Sequence, residues 1–269
     1  MKRQGSREES RDLAAEPGGG SISFPLPVRG PQLFKHGAAP HVLNFLGDNP
    51  DIDVSIRQLS RVVPMSERAT REAVDALEAN ALLATYHQGN ARRVHINRDR
   101  LDKPNDPIRS IPQTEFQTPV RVACRYIDDE LEDVRGIILF GSVARGTADR
   151  QSDIDLWVLV ADDHLQQRHE ANKLATELED LRIPPTIALA DATDADFEAN
   201  WEVIRAHLEA DDQQWASAQR HSFEIIVETP ASILAQSDRI EPDQLFGQGI
   251  TLRSSELLDR VKREILDDE

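Results

Sequence analysis

Cysteine is almost absent from this 269-residue chain, where Cys124 stands alone. One cysteine excludes an intrachain disulfide and fits a reducing compartment. Its place in an amphipathic pattern makes it a buried structural thiol rather than a nucleophile. Long apolar runs are missing as well. No stretch approaches the roughly 20 apolar residues needed to cross a bilayer, and the N-terminus lacks the apolar core of a signal peptide. The expectation is a soluble, cytoplasmic protein with no membrane partner. Lysine is scarce too, with five residues against 26 arginines.

Acid is what the chain has in excess: 48 Asp and Glu against 31 Lys and Arg, a net charge of −17. The excess is uneven. Residues 1–103 carry 15 basic and 13 acidic groups, and the remainder carries 16 and 35, so the two parts face different partners or solvents. A lysine-poor, acid-rich composition resembles that of proteins from salt-loving archaea (haloarchaeal type), which would make the acidity a solubility feature rather than a clue to substrate. Salt screens surface charge, so nucleic-acid binding would lean on shape and short-range contacts more than on a basic field.

The most informative stretch, residues 136–160, reads GIILFGSVARGTADRQSDIDLWVLV. Ile137 to Phe140 form an apolar run that stops at Gly141-Ser142, as a buried strand does when it opens into a turn. Glycine there lets a bulky ligand approach the backbone, and Ser142 adds a hydroxyl beside turn amides able to receive phosphate oxygens. Arg145 supplies a cation. In the second apolar run, Asp153 and Asp155 lie on one face because side chains alternate along a strand, with Cα atoms roughly 6.5 to 7 Å apart. Two like charges at the rim of an apolar strand are costly without a cation, and hard oxygen ligands suit Mg²⁺.

The run Gly141-Ser142-x-Ala144-Arg145-Gly146, six residues, then Asp153-x-Asp155, resembles the signature of the DNA polymerase β-like nucleotidyltransferase superfamily, in particular its minimal nucleotidyltransferase branch. The resemblance implies an α/β fold, an α+β mixed sheet with two Mg²⁺ ions held by Asp153, Asp155 and a third carboxylate on a neighbouring strand. It implies transfer of NMP, with ATP the first choice among NTP donors, to a protein or small-molecule hydroxyl. Gly141, Ser142 and Arg145 would seat the triphosphate. Members of the branch often act as antitoxins paired with HEPN toxins, so a HEPN-type toxin is an implied partner. For the third carboxylate, the strand HSFEIIVE (221–228) offers Glu224 and Glu228 on one face, roughly 13 Å apart. A right-handed crossover would set this strand parallel to the Asp153–Asp155 strand with its beginning beside the pair. Glu224 is therefore the choice, Glu228 the alternative, and Asp191 a distant third.

Residues 1–20 read as a disordered tail ending in Pro17-Gly18-Gly19-Gly20, and apolar residues at period two from Ile22 to Val28 suggest a short strand. Residues 21–100 have the order of a winged helix-turn-helix domain: helices at HVLNFLGDNP, SIRQLSRVV and from Ser66, then a hairpin at LLATYH and RRVHINR turning at Gln88-Gly89-Asn90. This block resembles archaeal winged helix-turn-helix regulators. If the third helix enters a major groove, Ser66, Arg68, Thr70 and Arg71 are candidates for DNA contact, with Arg92 and Arg93 reaching phosphates from the wing. The alternative is a block of solvated charges used for homodimerisation or partner binding. Residues 101–118, with three prolines, read as a linker.

Residues 119–269 then form the nucleotidyltransferase domain. A helix from Pro119 to about Asp133 leads in, with Arg121 and Arg125 as ordinary surface charges. A second helix runs from about 162 to Leu181. TIALAD (186–191) suggests a strand, residues 197–219 a helix, and the tail from Gly249 a short strand and a closing helix. Two functions are open: a nucleotidyltransferase, of antitoxin type and carrying its own DNA-binding domain, or a DNA-binding regulator that holds nucleotide without catalysis.

Overall fold

The computed structural model describes residues 23–210, 215, 217–235 and 241–267; the expected tail at 1–20 lies outside them. Phe24–Pro25 (β1) opens the described chain. Ala39–Asp48 (α1) follows, then Val54–Ser55 (β2), Ile56–Val62 (α2) and Glu67–Ala79 (α3). A hairpin of Leu83–Gln88 (β3) and Ala91–Ile96 (β4) turns at Gly89, whose φ of +60° suits glycine. The three strands form one antiparallel sheet in the order β2-β4-β3. Local chemistry sets the helix starts. Ser55 and Gln58 close a capping box on α2, and the Ser66 hydroxyl accepts the Ala69 N–H at the start of α3. Thr70, Ala73, Val74 and Leu77 then make the buried stripe of α3.

Leu101–Asp102 (β5) pairs in parallel with β1. The proline-rich segment after it is packed rather than loose: Ile108, Ile111 and Phe116 are buried in the core of the second half. Its prolines punctuate short 3₁₀ turns at Pro107–Ser110 and Thr114–Phe116.

Gln117–Glu130 (α4) leads into Val134–Phe140 (β6), the short helix Gly141–Arg145 (α5) and Ile154–Val160 (β7). His164–Asp180 (α6) crosses back, followed by Trp201–Glu209 (α7), Phe223–Glu228 (β8) and Pro230–Leu234 (α8). Ile250–Arg253 (β9) and Glu256–Asp267 (α9) close the described chain. The sheet order is β8-β7-β6-β9, with β7 parallel to β8 and the other pairs antiparallel. TIALAD is not a strand; among the described residues of 183–219 there are two isolated bridges, Ile183 with Gln219 and Ala188 with Thr193. The helix expected across 197–219 is confined to α7 among the described residues.

Alternation along β6 and β7 divides the molecule. Ile137, Leu139, Leu156, Val158 and Val160 face one core, with α4, α6 and α7. Ile138, Trp157 and Leu159 face the other, which they share with the N-terminal helices and with Leu258, Val261 and Ile265 of α9. Each face of the sheet is thus covered by a different part of the chain. Arg121 and Arg125 are not free surface charges: Arg121 pairs with Asp106 and lies over the Phe197 ring, and Arg125 lies 3.5 Å from Glu198 and over the Trp201 ring. Cys124 packs beside this core, and burial pushes its thiol up to about 12, as befits a structural role. Among the described residues no helix is long and apolar enough to cross a membrane.

Candidate active site

The site begins where β6 ends. Phe140 pairs with Asp155 across the β6–β7 ladder, and the next residue, Gly141, turns the chain with φ of +71°. A Cβ on Gly141 would lie 1.8 Å from Asp155 Oδ2. Only glycine permits this approach, so the turn and the carboxylate are in van der Waals contact. Helix α5 stops after one turn at Gly146, which is left-handed with φ of +73°. The Thr147 N–H donates to Ser142 O at 2.9 Å and closes the turn. Asp149 then accepts the Gln151 N–H at 2.9 Å, and its own N–H donates to Ser152 Oγ at 2.9 Å. This tight turn delivers the chain to Asp153.

Strand β8 contributes the next group. Ile154 pairs with Phe223 and Asp155 with Glu224, in parallel. Glu224 therefore stands beside Asp155 on the same face, while Glu228 pairs level with Leu159 and its carboxylate accepts the Ser232 hydroxyl. Asp191 lies between α6 and α7, off the sheet.

Electrostatics mark Asp155. Burial, then the neighbouring Glu224 and Asp153 carboxylates, push it up to about 6, and Arg145 opposes the shift. Asp153, Glu224 and Arg145 are exposed and have no salt-bridge partner among the described residues. Three carboxylates that repel one another, with a free guanidinium near, form a place for a cation and an anion together. Among the described residues no three Asp, Glu, His or Cys side chains are close enough to cage an ion by themselves. Beside the loop, a cavity of about 320 Å³ is lined in part by Phe116, Ala148, Arg150, Gln219, Arg220 and His221. Burial lowers His221, whose ring meets Phe116 edge-on at 5.8 Å.

Residues 125–208 match the family model described as "Polymerase beta, Nucleotidyltransferase". This segment is a polymerase β-like nucleotidyltransferase domain. The match takes in Gly141, Ser142, Arg145, Asp153 and Asp155 and ends before Glu224, which the strand register alone adds. A solved structure described as "Crystal structure of the toxin-antitoxin with AMP-PNP" is 21% identical over 54% of this chain and 82% of that chain. Its TM-score is 0.26. No curated protein matches the chain.

The residues suggested for DNA contact are spread differently. Ser66 caps α3. Arg68 and Arg71 are exposed and held by Glu72 at 3.0 Å and Glu67 at 2.8 Å. Thr70 is fully buried, its hydroxyl donating to Ser66 O at 3.2 Å, so it has no surface to offer. Arg92 folds back onto α3, bound to Asp75 and Glu78 at 2.6 Å each. Arg93 donates to Gln58 at 2.8 Å and Gln88 at 3.1 Å.

Proposed function

We propose that the nucleotidyltransferase domain transfers a nucleoside monophosphate, AMP from ATP, to a hydroxyl acceptor and releases pyrophosphate. The observation that carries this reading is the register that sets Glu224 beside Asp155, against the turn at Gly141-Ser142. In this reading Ser142 and the turn amides bind the triphosphate, and Arg145 balances its charge. Mg²⁺ held by Asp153 and Asp155, with Glu224 alongside, would neutralise charge on the phosphates and make the acceptor hydroxyl easier to deprotonate. Glu224, solvent-facing and without a salt-bridge partner among the described residues, would take the acceptor's proton, while Asp155, raised to about 6 by burial and its neighbouring carboxylates, would hold the cation in its charged form above that pH. The acceptor is a protein or small-molecule hydroxyl; a HEPN-type toxin, the partner implied by the sequence resemblance, would make this chain its antitoxin.

The test is incubation with Mg²⁺ and α-labelled ATP. Label should appear on an acceptor with matching pyrophosphate release, and the Asp153→Asn, Asp155→Asn double substitution should remove both by at least about 100-fold. Turnover that survives the double substitution would overturn the assignment, and saturable ATP binding without turnover would favour an effector-binding regulator.

The N-terminal half supports a second role. Its helix-strand-helix-helix-strand-strand order, with the sheet order β2-β4-β3, supports reading it as a winged helix, in which α3 would present Arg68 and Arg71. We propose that this unit binds DNA. Gel shift with the chain's own upstream DNA tests it: Arg68→Ala with Arg71→Ala should weaken binding, whereas a dimerisation role alone predicts no shift.

A further inference from the structure

We infer that the strap at residues 107–116 couples the N-terminal half to the catalytic loop, with Arg29 and Gln113 as positioning residues at its two ends. The inference rests on reading the site as a nucleotide seat.

On the N-terminal side, Asn44 of α1 grips Val28 twice: the Val28 N–H donates to Asn44 Oδ1 at 2.7 Å, and Asn44 Nδ2 donates to Val28 O at 3.0 Å. The next residue, Arg29, sends its guanidinium to three strap carbonyls, of Pro112 at 3.2 Å, Arg109 at 3.3 Å and Ile111 at 3.5 Å. On the catalytic side, Pro112 lies against Gly146, where a Cβ would be 2.7 Å from Pro112 Cβ. Gln113 then takes both hydrogen-bonding groups of one loop residue, donating to Ala148 O at 2.9 Å and accepting the Ala148 N–H at 3.1 Å.

Ala148 sits one residue after the Thr147 N–H that closes α5 on Ser142 and one before the Asp149 turn that delivers Asp153. Fixing it fixes the distance between the triphosphate seat and the first carboxylate. Arg29 is exposed and Gln113 partly so; neither side chain fills a core. The path therefore runs from α1 through Val28, Arg29, the strap and Gln113 to Ala148, and a ligand that shifted α1 would shift the loop. Neither residue touches the reacting groups. They act through Gly146 and Ala148 on Ser142, Arg145 and Asp153.

The test uses the full chain carrying Gln113→Ala or Arg29→Ala, with Gln113→Glu as the conservative change that can still accept but not donate. Amide exchange over residues 147–149 is measured without nucleotide, and KM, kcat and Tm are measured with Mg²⁺ and ATP. Exchange at Ala148 should quicken about tenfold in Gln113→Ala and about threefold in Arg29→Ala. KM for ATP should rise by similar factors with a smaller change in kcat, Tm should stay within about 2 °C of wild type, and Gln113→Glu should fall between. Wild-type exchange in Arg29→Ala would overturn the coupling, as would losses of activity that simply track Tm. A wild-type chain that neither binds nor consumes ATP would instead sink the nucleotide reading, and the exchange rates would still decide the strap by themselves.

Discussion

Asp155 shows how one side chain's surroundings set its chemistry. The ordinary aspartate value is 3.8, and burial with two neighbouring carboxylates raises it to about 6 in the folded chain. Between those values the unfolded chain gives up its proton first, so stability falls as pH rises through the window and the full penalty holds above about 6. Asp155→Asn should therefore raise Tm at pH 7.5, by roughly 2–4 °C after allowance for solvent screening, with the gain vanishing near pH 4. Thermal scans at the two pH values check this; an equal shift at both would point to a cause other than ionisation. At this scale the sequence was readable where chemistry is local. Gly141, Ser142, Asp153 and Asp155 announce themselves by type and spacing. Thr70 was misplaced although its signal was present, because the stripe of Val74 and Leu77 continued one turn back reaches it. Arg92 could not be placed, since its partners Asp75 and Glu78 lie on another element.

Strand register does for the elements what spacing does for the residues. A parallel β8 has only one end near Asp155, and that end carries Glu224. Glu224→Gln should cut transfer by about 100-fold or more, while Glu228→Gln, whose carboxylate is committed to Ser232, should leave it within about threefold. Steady-state rates on the two variants decide between them, and the opposite ranking would mean that β8 is out of register. Glu224 was accessible from sequence because the handedness of crossovers is nearly invariant. The strap was not. Its buried residues, Ile108, Ile111 and Phe116, are separated by prolines and polar residues and follow neither a helical nor a strand period, so composition alone suggested a loose connection. Residues 183–219 were opaque for a similar reason. The described residues among them are held by single bridges and by α7 anchoring on α4, where the Trp201 indole N–H donates to Asp129 at 2.7 Å and Arg205 lies over the Tyr126 ring.

Over the whole molecule, the two halves are joined by more than the strap. Lys262 of α9 is fully buried between them, donating to Asn49 at 2.7 Å and to Thr251 at 3.0 Å, while the Thr251 N–H donates to Asp48 at 2.9 Å. Burial lowers the Lys262 ammonium to about 8 from an ordinary 10.5. The folded chain releases this proton before the unfolded one, so Lys262 adds stability as pH climbs from about 8 toward 10.5. The wild-type chain should gain in Tm on Lys262→Met over that interval; a constant difference would show that the ammonium is not desolvated. Such long-range joining was invisible in the sequence, where Asn49 and Lys262 are 213 positions apart.

Trp157 stands two residues beyond Asp155 on the same face of β7, beneath the N-terminal helices. The carboxylates thus open to solvent only where that roof ends, about 7 Å along the strand. A fragment cut to begin near residue 117 would keep every proposed catalytic side chain and the cover of α9 and Phe246, yet would strip the N-terminal helices from the face of Ile138, Trp157 and Leu159, so excising that half would produce a sheet with a sticky, half-covered face.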